Sequence, residues 1–167
     1  MCKISRSPIA VMVEVVASRE AWAGELSQLV ADMASGGFVL NLSSERRILR
    51  AAHELEGGWE AVTAAGARIV DVSHAWAPFS IEGPWAQDLL TRGIALDLHE
   101  RAFPTGHAVS TLCGRVPVIL HAVGADRFDL YVATSWANWF SDWLEAVRAT
   151  LIQGRNGPDQ RKLRLAG

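Results

Sequence analysis

Apolar positions fall in short runs whose period changes often, so the chain reads as alternating strands and amphipathic helices. Ile9 to Val13 is an apolar, β-branched run that predicts a strand. Ser18 then offers a helix N-cap, with Glu20 placed to complement the helix dipole. Trp22, Leu26, Leu29, Val30 and Met33 recur at helical spacing, and Gly36-Gly37 is a stop signal. Phe38 to Leu42 predicts a strand. From Ser43 a second helix is expected, with Ile48, Leu49, Ala52 and Leu55 inward and Glu45, Arg46, Arg47, Arg50 and Glu54 outward. Gly57-Gly58 interrupts it before Trp59 to Ala65 resumes as helix.

The second half is a run of strands with helices between and after them. Arg68 to Val72 and Ala77 to Glu82 predict strands around Ser73-His74-Ala75-Trp76. Gly83-Pro84 opens a helix through Leu89 and Leu90, which Gly93 ends. Ala108 to Leu112, Val116 to Val123 and Phe128 to Ala133 predict three more strands, the last two joined across Gly124-Ala125-Asp126. Ser135 is a candidate cap for a final helix with Trp136, Trp139, Phe140, Trp143, Leu144, Val147 and Leu151 as its apolar residues. Strands with segregated helices argue for an α+β fold: two layers, a mainly antiparallel sheet with helices on one face. One domain is expected over 1–153, with a strand-and-helix part about 8–65 and a second part about 67–152. Residues 154–167 read as a flexible basic tail carrying Arg155, Arg161, Lys162 and Arg164.

One stretch fits neither period. Ala95 to His107 packs aliphatic residues, two histidines, Arg101, Phe103 and a Pro104-Thr105-Gly106 breaker into a single segment. Solvent loops are usually built from small polar residues, so this one is expected to be ordered, partly buried and facing a ligand or partner.

Composition narrows the function classes. Sixteen basic residues against 18 acidic ones leave no field that would attract nucleic acid or an anionic membrane. No apolar run approaches the ~20 residues of a membrane span. Lys3 and Arg6 before Ile9 to Val13 faintly imitate a signal peptide, but Glu14 cuts the run short. With only Cys2 and Cys113, a structural disulfide is not expected and a reducing cytoplasm is the default. Each of the seven tryptophans is a core residue or an interface anchor.

The chain carries few groups set up for chemistry. His53, His74, His99, His107 and His121 show no metal-ligand spacing beyond a loose set of Asp97, His99 and His107 around the breaker. Cys113 between strand residues reads as an inert thiol, and Ser73-His74 lacks the small-residue turn of a nucleophile elbow. Asp71, Asp97 and Asp129 become candidate general bases only if buried. No dinucleotide fingerprint and no phosphate-binding loop occur.

Several of these segments together carry a family resemblance. Val70-Asp71-Val72-Ser73-His74, Glu82-Gly83-Pro84, Leu96-Asp97-Leu98-His99 and Arg101-Ala102-Phe103-Pro104 with Gly106 resemble the gamma subunit of bacterial heterotetrameric sarcosine oxidase. Thr134-Ser135 and the segment Trp136 to Val147 continue the match, which covers roughly 67–147. The wider likeness is to the aminomethyltransferase fold. The family's Gly-Pro-Asp-Glu-Trp-Leu-Leu motif has its counterpart at Leu42 to Leu49, where the Pro and Trp are missing.

The resemblance implies a non-catalytic subunit with no cofactor or metal of its own. It implies alpha, beta and delta subunits as partners, chiefly the folate-binding region of alpha. FAD, FMN, NAD, zinc and tetrahydrofolate would sit on those subunits. The complex would oxidatively demethylate sarcosine or a related N-methyl amino acid and pass the one-carbon unit to tetrahydrofolate. Leu98, His99, Arg101, Phe103, Pro104 and His107 are the candidate partner-contact residues, with Phe103 read either as an anchor in the partner or as a plug in this chain's own core. Two alternatives stand beside this reading. One is a stand-alone folate-binding or aminomethyltransferase-like protein using Asp97, Phe103 and Trp76 around a pterin. The other is an unrelated small α+β binding domain.

Overall fold

The β-branched and aromatic runs of the two halves build two separate antiparallel sheets, each with helices on one face only. The computed structural model describes residues 2–7, 11–34, 37–51 and 57–155. In chain order the strands are β1 (Lys3–Arg6), β2 (Val11–Val16), β3 (Phe38–Asn41), β4 (Arg46–Ala51), β5 (Arg68–Asp71), β6 (Trp76–Glu82), β7 (Ala108–Cys113), β8 (Val116–Gly124) and β9 (Arg127–Ala133). The helices are α1 (Arg19–Ala23), α2 (Leu26–Met33), α3 (Trp59–Ala64), α4 (Ala86–Leu90) and α5 (Ala137–Arg155). Sheet order is β1-β6-β9-β8-β7 in the larger sheet and β3-β4-β2-β5 in the smaller. The α+β class and the antiparallel pairing match the sequence reading, but the sheet is doubled.

The period-2 pleat explains the layering. In β9, Phe128, Leu130 and Val132 join Phe79, Ile81, Leu120, Leu89, Leu90, Phe140 and Leu144 in a core between the larger sheet and α4 and α5. Each fully buried Phe or Leu there contributes ~1.5–3 kcal/mol of hydrophobic stabilisation. Val15 and Leu49 face the other way, onto Trp22, Leu26, Val30 and Val62 of α1, α2 and α3. Between the sheets lies a thinner apolar layer of Met12, Leu40, Ile48, Ile119 and Tyr131. The order through the molecule is therefore helices, sheet, sheet, helices.

Four sequence expectations need correction. Arg46–Ala51 is a strand, not the helix predicted from Ser43, because it pairs with both β2 and β3. It buries residues on both faces, Ile48 toward the other sheet and Leu49 toward the helices, so its pattern lacks polar alternation. Lys3–Arg6, read as a weak signal-like start, forms edge strand β1 on β6. The single helix expected after Ser18 breaks at Gly24, whose backbone is extended. Ser18 does cap α1, its Oγ accepting from the Ala21 N–H at 3.3 Å. Finally, Ser135 sits in a 3₁₀ turn (Thr134–Trp136) ahead of α5, and α5 runs on through Gly154 to Arg155. Expectations for Ile9, Ala10, Gly36, Ala52, His53, Glu54, Leu55 and 156–167 lie outside the described residues.

Candidate functional site

The 95–107 segment lies between α4 and β7 and is held by its own backbone bonds. The Asp97 Oδ1 accepts from the His99 N–H at 2.9 Å, turning the chain at once. The His99 carbonyl accepts from the N–H groups of Ala102 (2.8 Å) and Phe103 (2.9 Å). Glu100 Oε1 accepts from the Thr105 N–H at 3.2 Å. Gly106, at φ +88°, donates to the Ala122 carbonyl at 2.7 Å, and the Ala122 N–H returns to the His107 carbonyl at 2.9 Å. A side chain is disfavoured at that φ, which explains the Pro-x-Gly breaker.

These bonds sort the six loop residues of interest. Leu98 and Phe103 are buried in the core under α4 and α5, and the Phe103 ring meets the His107 imidazole edge-on at 6.3 Å. His99, Arg101 and His107 are exposed and Pro104 is half-buried. The loop is thus a rigid platform with two apolar pegs inward and a cation and two imidazoles outward. Asp97 is used by the loop itself, and no three His, Cys, Asp or Glu groups among the described residues stand close enough to share a metal ion. The pterin set is not assembled either. Phe103 lies on the helix side of the larger sheet, whereas Trp76 packs on the side facing the other sheet.

A second concentration of polar groups brings together His121 and Asp129, which the sequence named only singly, with two residues it did not single out for chemistry. His121, Asp129 and Tyr131 lie on the inter-sheet face of β8 and β9, with His121 directly opposite Asp129 in the register. Arg50 reaches them from β4, and Phe38 covers them, its ring 4.8 Å from the imidazole and 5.8 Å from the Arg50 guanidinium carbon. His121, Asp129 and Tyr131 are 1%, 4% and 0% exposed. Arg50 Nε, both His121 nitrogens, Asp129 Oδ1 and the Tyr131 hydroxyl are enclosed without a hydrogen-bond partner among the described residues. Burial pushes the His121 pKa down, opposed by the Asp129 charge and reinforced by Arg50. Burial likewise raises that of Tyr131. The signal in the sequence was a few polar residues within strongly apolar strands, Asp129 and Tyr131 two apart in β9 and His121 alone in β8, which pairing brings onto one face.

Other reactive groups are sealed or already engaged. Cys2 and Cys113 are both free and buried, and burial pushes the Cys113 thiol up to about 12, so it stays protonated at neutral pH. Asp71 is exposed and occupied as an acceptor for the Ser73 N–H at 2.9 Å.

The loop, the meander β7–β9 and most of α5 fall inside the region that matches a known family. A family model described as the sarcosine oxidase, gamma subunit family matches residues 59–150, more than half of the 167 residues. This chain belongs to the sarcosine oxidase gamma subunit family. A relative in that family, sarcosine oxidase subunit gamma of Corynebacterium sp. (strain P-1), is 28% identical over 119 residues. That alignment covers 70% of this chain and 59% of the relative, less than two thirds of its length. The fold is shared with a chain of the heterotetrameric sarcosine oxidase from Corynebacterium sp. U-96 in complex with pyrrole 2-carboxylate, at a TM-score of 0.78 and 18% identity. That likeness covers 89% of this chain and 84% of the other, so the shared fold extends beyond 59–150. Among the described residues, no helix of this family member is long and apolar enough to cross a membrane.

Proposed function

We propose that this chain is the gamma subunit of a heterotetrameric sarcosine oxidase-type flavoenzyme and that its part is assembly, not chemistry. The observation that carries the reading is the family match over the segment that contains the 95–107 platform. The platform supports it physically. Its backbone bonds are made within the chain, so docking His99, Arg101 and His107 against a partner costs little ordering entropy. The titratable groups argue the same way: the Cys113 thiol is held protonated and His121 is enclosed between sheets, so neither reaches a substrate.

In this reading the partner on the platform is the folate-binding region of the alpha subunit, with beta and delta completing the complex. FAD, FMN, NAD, zinc and tetrahydrofolate belong to those subunits. The complex oxidatively demethylates sarcosine or a related N-methyl amino acid, and tetrahydrofolate takes the one-carbon unit. Co-expression with the other three subunits tests this. The chain should co-purify in constant proportion, and replacing His99, Arg101 and His107 together with Ala should lower the yield of complex. Turnover per assembled complex should fall far less than the ~10²–10⁴-fold typical of losing a general acid or base. A thousandfold loss in a fully assembled variant would refute the assembly role.

A further inference from the structure

The hairpin between β7 and β8 turns through two residues with left-handed backbone, Gly114 at φ +55° and Arg115 at φ +74°. Two-residue turns of this kind favour Gly or Asn at such positions, because the Cβ of other residues crowds the following carbonyl. Arg115 is the one non-glycine residue with a positive φ among the described residues. Its side chain is exposed and makes no hydrogen bond or ion pair within the described chain. The sequence thus tolerates backbone strain for a guanidinium with no intramolecular use.

A second exposed arginine sits on the adjoining turn. The Gly114 N–H donates to the Gly93 carbonyl at 3.1 Å, which fastens the hairpin tip to the turn carrying Arg92. Arg92 is exposed and likewise unpaired among the described residues. The indole of Trp143 lies against both glycines, and a pocket of about 120 Å³ opens next to Arg92 between Val147, Thr150 and Leu151. Asp88, the nearby acidic group lining the neighbouring depression with Arg92, is already paired to Arg155. Two cations unpaired among the described residues therefore flank apolar surface at the β7–β8 turn.

We infer that Arg92 and Arg115 form a second docking surface that takes an acidic segment of another subunit of the complex, one bearing carboxylates beside an apolar side chain. The inference rests on the assembly role proposed above. Forked guanidinium–carboxylate contacts from a rigid hairpin tip would fix the orientation of the subunit as well as add attraction.

The test is titration of the purified chain into the remaining subunits, co-expressed and purified without it. The double reversal Arg92→Glu/Arg115→Glu should weaken binding at least about tenfold and reduce its salt dependence. Arg115→Gly should raise the melting temperature of the chain, by relieving the strain, while still weakening binding. Arg68→Glu, an exposed reversal on the edge of the other sheet, should bind as wild type. Wild-type affinity for the double reversal, or an equal loss with Arg68→Glu, would overturn the surface while leaving the assembly role intact. No binding by the wild-type chain would overturn both. Should the double reversal melt abnormally, Arg115→Gly decides alone, and unchanged affinity there counts against the surface.

Discussion

Tyr131→Phe should stabilise this protein, the reverse of what removing a buried tyrosine hydroxyl usually does. The ring is fully buried between the sheets and the hydroxyl has no hydrogen-bond partner among the described residues. In the unfolded chain that hydroxyl is hydrogen-bonded to water, so folding sacrifices its solvation without replacement, at ~1–3 kcal/mol. The substitution leaves ring volume and packing with Met12, Leu40, Ile48 and Ile119 intact, so the cavity left is one oxygen atom. Allowing a few tenths for that loss of dispersion, the expected gain is ~1–2 kcal/mol. For a chain of this size that raises Tm by roughly 2–8 °C. Urea denaturation at constant m-value, checked by thermal melting, measures it. A loss of stability above about 0.5 kcal/mol would mean that the hydroxyl is bonded, and the account of the inter-sheet layer as unsatisfied would be wrong.

Phe103→Ala should cost the isolated chain ~3–5 kcal/mol in denaturant unfolding, because the ring belongs to the main core. Near-normal stability with impaired subunit assembly would instead make Phe103 a partner anchor. His121 titrates below its ordinary 6.5 in the folded state, chiefly through burial. The unfolded chain therefore binds the extra proton first, and the stability linked to this group is present above about pH 6.5 and lost as pH falls toward the folded pKa. His121→Leu should flatten that part of the stability–pH curve, and an unchanged slope would assign it to other groups. At Gly93 an added Cβ would sit 2.4 Å from the Trp143 indole and 3.0 Å from Cys113 Sγ, so Gly93→Ala should cost ~1–3 kcal/mol. At Gly154 the added Cβ meets open space within a helix, so Gly154→Ala should be neutral or gain up to ~1 kcal/mol by the same melting assay.

Local chemistry was readable from the sequence wherever a residue's own neighbours decide its conformation. The β8–β9 pair with its intervening turn, the Ser18 cap and the long apolar face of α5 follow from period, capping and turn residues. So did the order of the 95–107 loop, since its Asp97 turn and Gly106 breaker are sequence-local devices. The family too was legible there, in segments lying between Val70 and Val147, all of them inside the 59–150 match. Tertiary structure alone decided the rest. Arg46–Ala51 carries charges that suit an exposed helix, yet it is an inner strand because β2 and β3 offer it hydrogen bonds on both edges. Its Arg47 keeps its charge near the surface while stacking 3.9 Å over Trp22, a partner 25 positions away in the sequence. The inter-sheet layer is the clearest case. Arg50, His121, Asp129 and Tyr131 come from three strands of two sheets, and only the stacking of those sheets places them together and away from water. Pairing and stacking depend on segments far apart along the chain, so no window of the sequence contains the energy that decides them.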